Sequence, residues 1–230
     1  MKKIIYLLFL FLFIFMCYLI YELTDNDNLT CLVIGDSIAD NIYLRENKKI
    51  NNYNNQFISK DYRMIDLLHI IKYNEEINYQ NKTISIHQLL KQSDIVIISI
   101  GMNDIYAKLE DDPKNMYTYL NEMVNNMELI LDEISRYKNA KIIVLGYYNI
   151  FDKKNDLFIY INYKIKRITE KHDYIYIDTN KNLNNNQKYL LKNNQFYLND
   201  HGYQEINELI VEKLEKTWYN IKRIYYYDLY

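Results

Sequence analysis

The run Ile95-Val96-Ile97-Ile98-Ser99-Ile100 limits this chain's options more than any other stretch. It is apolar on both faces and too short for a helix, the pattern of a strand inside a parallel sheet covered above and below by helices. The buried strand is expected over Asp94–Ile100, and it stops at Gly101-Met102-Asn103-Asp104. Two further runs, Cys31–Ile34 and Lys141–Gly146, have the same character, and each ends on a glycine. Gln56–Ser59 and Tyr174–Asp178 add a short second strand and a last one.

Parallel neighbours need long crossovers, and helical apolar spacing fills the intervals. One helix is expected over Arg63–Ile71 and a short one through Leu89-Leu90. A long amphipathic helix carries Met116, Leu120, Met123, Met127, Ile130, Leu131 and Ile134 on one stripe. Another spans about Leu157–Lys171, and a closing helix spans Tyr203–Trp218 with Ile206, Leu209, Ile210 and Leu214 inward. Asn74–Lys82 reads as a polar hairpin, and Arg45–Asn55 and Asn180–Gln195 as polar loops. Strands alternating with helices predict an α/β domain of three layers, α/β/α, around a mostly parallel, flavodoxin-like sheet.

The chain has 230 residues, room for one domain and a terminal segment, and a net charge of −2 gives no electrostatic footprint for nucleic acid. Its richness in Asn, Lys, Ile and Tyr reads as a nucleotide-composition bias. Against that background 4 Gly are informative: Gly35, Gly101, Gly146 and Gly202 each stand at the edge of an expected element.

Lys2-Lys3 precede an apolar run from Ile4 to Leu23 with no charge before Glu22. About 20 apolar residues suffice to cross a bilayer, and no small-x-small cleavage site closes the run. The expectation is one N-terminal transmembrane helix over 1–23, kept as an uncleaved single-pass anchor, then a linker over 24–29. The domain follows over 30–218 and an aromatic, basic tail over 219–230, read as an extension of the last helix. The two lysines stay inside, which puts the domain on the extracytoplasmic side of the cell membrane. Cys17 and Cys31 are not expected to pair, and no metal-ligand spacing or phosphate loop is visible.

Gly35-Asp36-Ser37 and Gly101-Met102-Asn103-Asp104 end their strands at the same edge of the expected sheet. Ser37 and Asn103 then face one crevice, where an open α/β sheet binds its ligand. A serine nucleophile creates an oxyanion at an acyl carbonyl. The Asn103 side-chain amide and the Ser37 N–H are the donors to hold it.

With Gly202-Tyr203 opening the last helix, these motifs resemble the GDSL, or SGNH, hydrolases, over about Cys31 to Lys216. That resemblance implies a three-layer serine esterase, acetylesterase or lipase without a cofactor. It would act on an ester or O-acetyl group of a small molecule, a lipid or an envelope glycan. It implies Ser37 as nucleophile and Asn103 in the oxyanion hole. Asp61 stands near the position of the family's oxyanion glycine, with Asn81 as an alternative.

The family's Asp-x-x-His block is altered. Tyr197 occupies the expected place of the histidine and Asn194 that of the aspartate, while His201 comes one helical turn later, about 6 Å along a helix. Two outcomes stay open. Either His201 reaches Ser37, with Asp200 beside it, or the dyad is gone and the fold serves as a binding or scaffold module of the envelope. Asp36, Asp104, Asp200 and Tyr197 are expected as supporting residues of the site.

Overall fold

The computed structural model describes residues 11–16, 29–42, 53–59, 62–79, 82–137, 140–149, 155–183, 187–191 and 194–227. A five-stranded parallel sheet runs in the order β2-β1-β5-β6-β7. Its strands are β1 Leu29–Gly35, β2 Tyr53–Ser59, β5 Ile95–Ser99, β6 Lys141–Leu145 and β7 Ile175–Ile177. Every residue of β5 is buried, as its two-sided apolar sequence requires. Cys31 to Ile34 in β1 are equally enclosed, with Cys31 a free thiol in the sheet's interior.

The chain places β2 on one side of β1 and then returns to put β5 on the other. That reversal is the topological switch point, and it opens a crevice at the carboxyl ends of β1 and β5. In register, Gly35 lies opposite Ser99, so the two glycine-ended motifs leave the sheet side by side.

The covering helices bury the stripes their spacing predicts. α2 (Met64–Tyr73), α5 (Met116–Ile134) and α6 (Asn155–Lys171) pack side by side. α5 buries the whole stripe of Met116, Leu120, Met123, Met127, Ile130, Leu131 and Ile134, so its methionines fill core space. α3 (Ile86–Gln92) is capped by Ser85, whose Oγ accepts the Gln88 N–H at 3.3 Å. It follows the antiparallel hairpin β3 (Glu76–Tyr79) and β4 (Lys82–Ser85). α4 (Met102–Asp111) opens at the end of β5, and a turn at Pro113 separates it from α5.

Two expectations are corrected. The stretch read as a polar loop, Asn180–Gln195, holds most of a short helix, α7 (Thr179–Leu183), a 3₁₀ turn at Gln187–Tyr189, and strand β8 (Leu190–Leu191). β8 pairs antiparallel with β9 (Asn194–Leu198). The closing helix, α8, starts at Asp200 rather than Tyr203 and runs unbroken to Tyr227. Asn199 sets that start: its side-chain oxygen accepts the Gly202 N–H at 3.1 Å while its amide binds the carbonyls of Lys188 and Leu190.

Of the expected anchor, residues 11–16 are described; they form a helical segment, α1. Phe11, Leu12, Phe13, Ile14, Phe15 and Met16 are all exposed. Among the described residues no helix is long and apolar enough to cross a membrane.

Candidate active site

At the end of β1 the main chain passes so close to β5 that a side chain on Gly35 would run into the Ser99 carbonyl. Glycine is therefore required by proximity, and it lets the Asp36 N–H reach Ser99 O at 3.0 Å. Asp36 then turns inward, fully buried. Its Oδ1 accepts the Ile38 N–H at 3.1 Å. Its Oδ2 accepts those of Gly101 at 3.1 Å, Met102 at 3.0 Å and Asn103 at 3.5 Å. A single carboxylate thus staples the turn after β1 to the first turn of α4, where the helix dipole also favours negative charge.

Gly101 sits before that helix with φ of +109°, a conformation that a side chain disfavours. Burial pushes the Asp36 carboxyl up to about 6, against the four N–H groups that favour its charged form. Desolvation is the larger effect.

This staple fixes Ser37 relative to Asn103. The Asn103 Nδ2 donates to Ser37 Oγ at 3.3 Å. Ser37 is half-buried, and its own N–H has no partner among the described residues. Two N–H donors therefore border the hydroxyl, the arrangement an oxyanion hole needs.

Asp104, next in sequence, does different work. Its Oδ2 accepts the Met64 N–H at 3.1 Å and its Oδ1 the Tyr119 hydroxyl at 3.1 Å, joining the starts of α4, α2 and α5. Burial raises its carboxyl above the usual range, those two bonds opposing.

The third group at Ser37 Oγ is Tyr197, whose hydroxyl lies 3.2 Å away. Tyr197 extends from β9, next to the buried Leu198 that pairs with Leu190. Asp200 and His201 are exposed in the first turn of α8, and no hydrogen bond joins His201 to Ser37. The reason is helical phase. Tyr203, Ile206, Ile210 and Leu214 make the inward face, and His201 falls with Gln204 and Glu208 on the solvent side. Asp61 and Asn81 lie outside the described residues.

Sequence reasoning passed over the tyrosines that close the site. The buried phenols of Tyr106 and Tyr148 lie beside each other near Asp36, and that of Tyr203 lies near Asn41. In a chain with 26 Tyr, no one of them stands out by type. Tyr147, after β6, donates to Ile100 O at 3.0 Å. Asn162 holds Tyr147 at both its N–H and its C=O, at 2.7 Å each. Between the ends of β5 and β6, a gap bordered by Ile38, Met102, Leu145 and Tyr148 leaves about 10 Å³, at most marginal for one water.

No curated protein matches the chain. Among solved structures it resembles the lipase Lip_vut3 from a goat rumen metagenome, with a TM-score of 0.66 and 17% identity over 80% of this chain and 97% of that one. TesA gives a TM-score of 0.61 and 12% identity over 81% of this chain and 98% of that one. A catalytic mutant of Axe2, an acetylxylan esterase from Geobacillus stearothermophilus, gives 0.57 and 16% over 82% and 95%. At such identities these likenesses speak to the fold, an α/β sandwich of the SGNH hydrolase type. The model of the GDSL-like Lipase/Acylhydrolase family matches residues 33–205, and with that match across the sheet and the crevice the chain belongs to this family.

Proposed function

We propose that this protein is a serine esterase that cleaves an ester or O-acetyl group of a lipid or envelope polymer at the outer face of the cell membrane. The observation that carries the reading is the meeting of Ser37 Oγ and Asn103 Nδ2 at 3.3 Å in the switch-point crevice. Ser37 adds to the ester carbonyl, and the oxyanion is held by the Ser37 N–H and Asn103 Nδ2, each worth roughly 3–4 kcal/mol. The Asp61 N–H is the candidate third donor. His201 is left out of this mechanism because it lies on the solvent face of α8.

The membrane assignment rests on the apolar run from Ile4 to Leu23 and on six consecutive apolar side chains, Phe11 to Met16, exposed in α1. The Lys2-Lys3 pair ahead of that run orients the domain outward.

Release of p-nitrophenol from p-nitrophenyl acetate by the soluble part, residues 29–230, tests the chemistry. The expected result is turnover that Ser37→Ala abolishes; turnover that survives the substitution removes Ser37 from the mechanism. For the anchor, the full chain should stay with membranes through alkaline carbonate washing while the soluble part does not. A second reading, a binding module without turnover, is favoured by Tyr197 standing where an imidazole is expected. It predicts no Ser37-dependent hydrolysis at any pH.

A further inference from the structure

We infer that Tyr197 is the proton-transfer residue of this site, its phenolate serving as the general base that activates Ser37. This inference rests on the esterase reading above and adds the group that such a reading lacks.

Ser37 Oγ has two described side chains within hydrogen-bond reach, Asn103 and Tyr197. A carboxamide does not take up a proton near neutrality. Asp36, the adjacent carboxylate, is occupied elsewhere: its oxygens face the N–H groups of Ile38, Gly101, Met102 and Asn103. Among the described residues the Tyr197 hydroxyl at 3.2 Å is the remaining acid–base group in reach, and that separation is at the outer limit of a working proton-transfer contact.

The phenol is also held in place. Immediately after it, Leu198 is buried and paired with Leu190. The Asn199 N–H bonds Tyr189 O at 2.8 Å, and the Asn199 side chain caps α8. The hairpin of β8 and β9 and the start of α8 therefore fix the backbone that carries Tyr197. Held this way, the hydroxyl can serve chemistry as a preorganised group.

The steps balance. The Tyr197 phenolate takes the Ser37 Oγ proton as Oγ bonds to the carbonyl carbon, and the carbonyl π pair moves to the oxygen facing the N–H donors. On collapse the C–O bond to the leaving alcohol breaks, and that alcohol takes its proton from the Tyr197 hydroxyl. Water then repeats the sequence on the acyl-Ser37 ester: its proton goes to the phenolate, the acid departs, and Ser37 Oγ recovers its proton from Tyr197.

The phenolate is the form that accepts the Ser37 proton, so the step draws on the deprotonated side chain. Among the described residues the ionisable groups around it are the phenols of Tyr106 on α4 and Tyr203 on α8, with the Asp36 carboxylate acting on both and Asp40 acting on Tyr203.

The test is the pH profile of kcat/KM between about pH 6 and 10.5, using 1-naphthyl acetate and the domain with its fold checked by circular dichroism. The wild type is expected to show a rise in kcat/KM with pH that depends on Tyr197. Tyr197→Phe should lose at least a hundredfold across the range, and Ser37→Ala all of it. Tyr197→His should level off near pH 7 and exceed the wild type there by at least tenfold.

A Tyr197→Phe enzyme that retains the wild-type rate and slope overturns the assignment while leaving Ser37-dependent esterase activity standing. Failure of the esterase reading looks different. Wild type and Tyr197→His would then both lack Ser37-dependent hydrolysis at every pH, and a fluorophosphonate would not label Ser37. That outcome removes both proposals.

Discussion

Replacing Asp36 by alanine should be among the most damaging single changes available to this chain, although the residue touches no substrate. Three main-chain N–H groups lie within 3.1 Å of its carboxylate, those of Ile38, Gly101 and Met102, and a fourth, from Asn103, lies at 3.5 Å. All belong to a fully buried side chain's surroundings, so alanine leaves three strong donors without acceptors. An orphaned buried donor costs about 1–3 kcal/mol, and a water entering the gap recovers part of that, which gives roughly 3–5 kcal/mol for Asp36→Ala.

Asp36→Asn separates hydrogen bonding from charge. Its amide oxygen can keep the Gly101, Met102 and Asn103 side while its NH₂ group confronts the Ile38 N–H alone, so it should lose less than half as much. Urea unfolding of the three proteins gives the free energies, and esterase assays on the same samples give kcat. Because the staple holds Asn103 over Ser37, both variants should lower kcat more than they raise KM. An alanine variant within 1 kcal/mol of wild type, or an asparagine variant as unstable as the alanine one, would refute the account of Asp36 as an acceptor of main-chain bonds.

Further outcomes follow from the same contacts. The Asp36 carboxyl is raised from 3.8 to about 6 by burial, so the fold binds this proton more tightly than the unfolded chain does. Its contribution to stability is complete below about 4 and lost as pH rises through about 6, and Asp36→Asn should flatten that slope in urea titrations across the window. Gly101→Ala should cost about 1–3 kcal/mol from the positive φ alone, and more from a Cβ placed 2.8 Å from the Tyr147 hydroxyl, as read by thermal unfolding. Asn162→Ala should cost roughly 2–4 kcal/mol, because it strands the buried N–H and C=O of Tyr147, and the denaturation midpoint measures it.

The sheet was readable wherever local pattern and burial agree. β5 and β6 are continuous apolar runs and α5 a regular stripe, so their positions follow from spacing alone. The crevice was readable as well, since Gly35 and Gly101 mark the two close turns in a chain with few glycines. The hairpin of β8 and β9 was not. Its strands are short, and its stability comes from pairing and from Asn199 bonds to distant carbonyls, neither of which leaves a period in the sequence. The same holds for the partner of Ser37. Counting back from Gly202-Tyr203 locates Tyr197, but that its hydroxyl meets Oγ depends on how the hairpin folds over β1. The exposure of His201 depends on α8 beginning at Asp200.

Cys31 in β1 gives the sheet a covalent clock. The thiol is entirely enclosed and burial pushes it up to about 12, so a folded molecule offers alkylating reagents almost no thiolate. In a Cys17→Ser background, labelling of Cys31 would proceed only through molecules whose sheet has come apart. Its rate would then count how often β1 parts from β2 and β5. A ligand that ties the turn after β1 to α4 should slow that count, and so report occupancy of the crevice without any turnover.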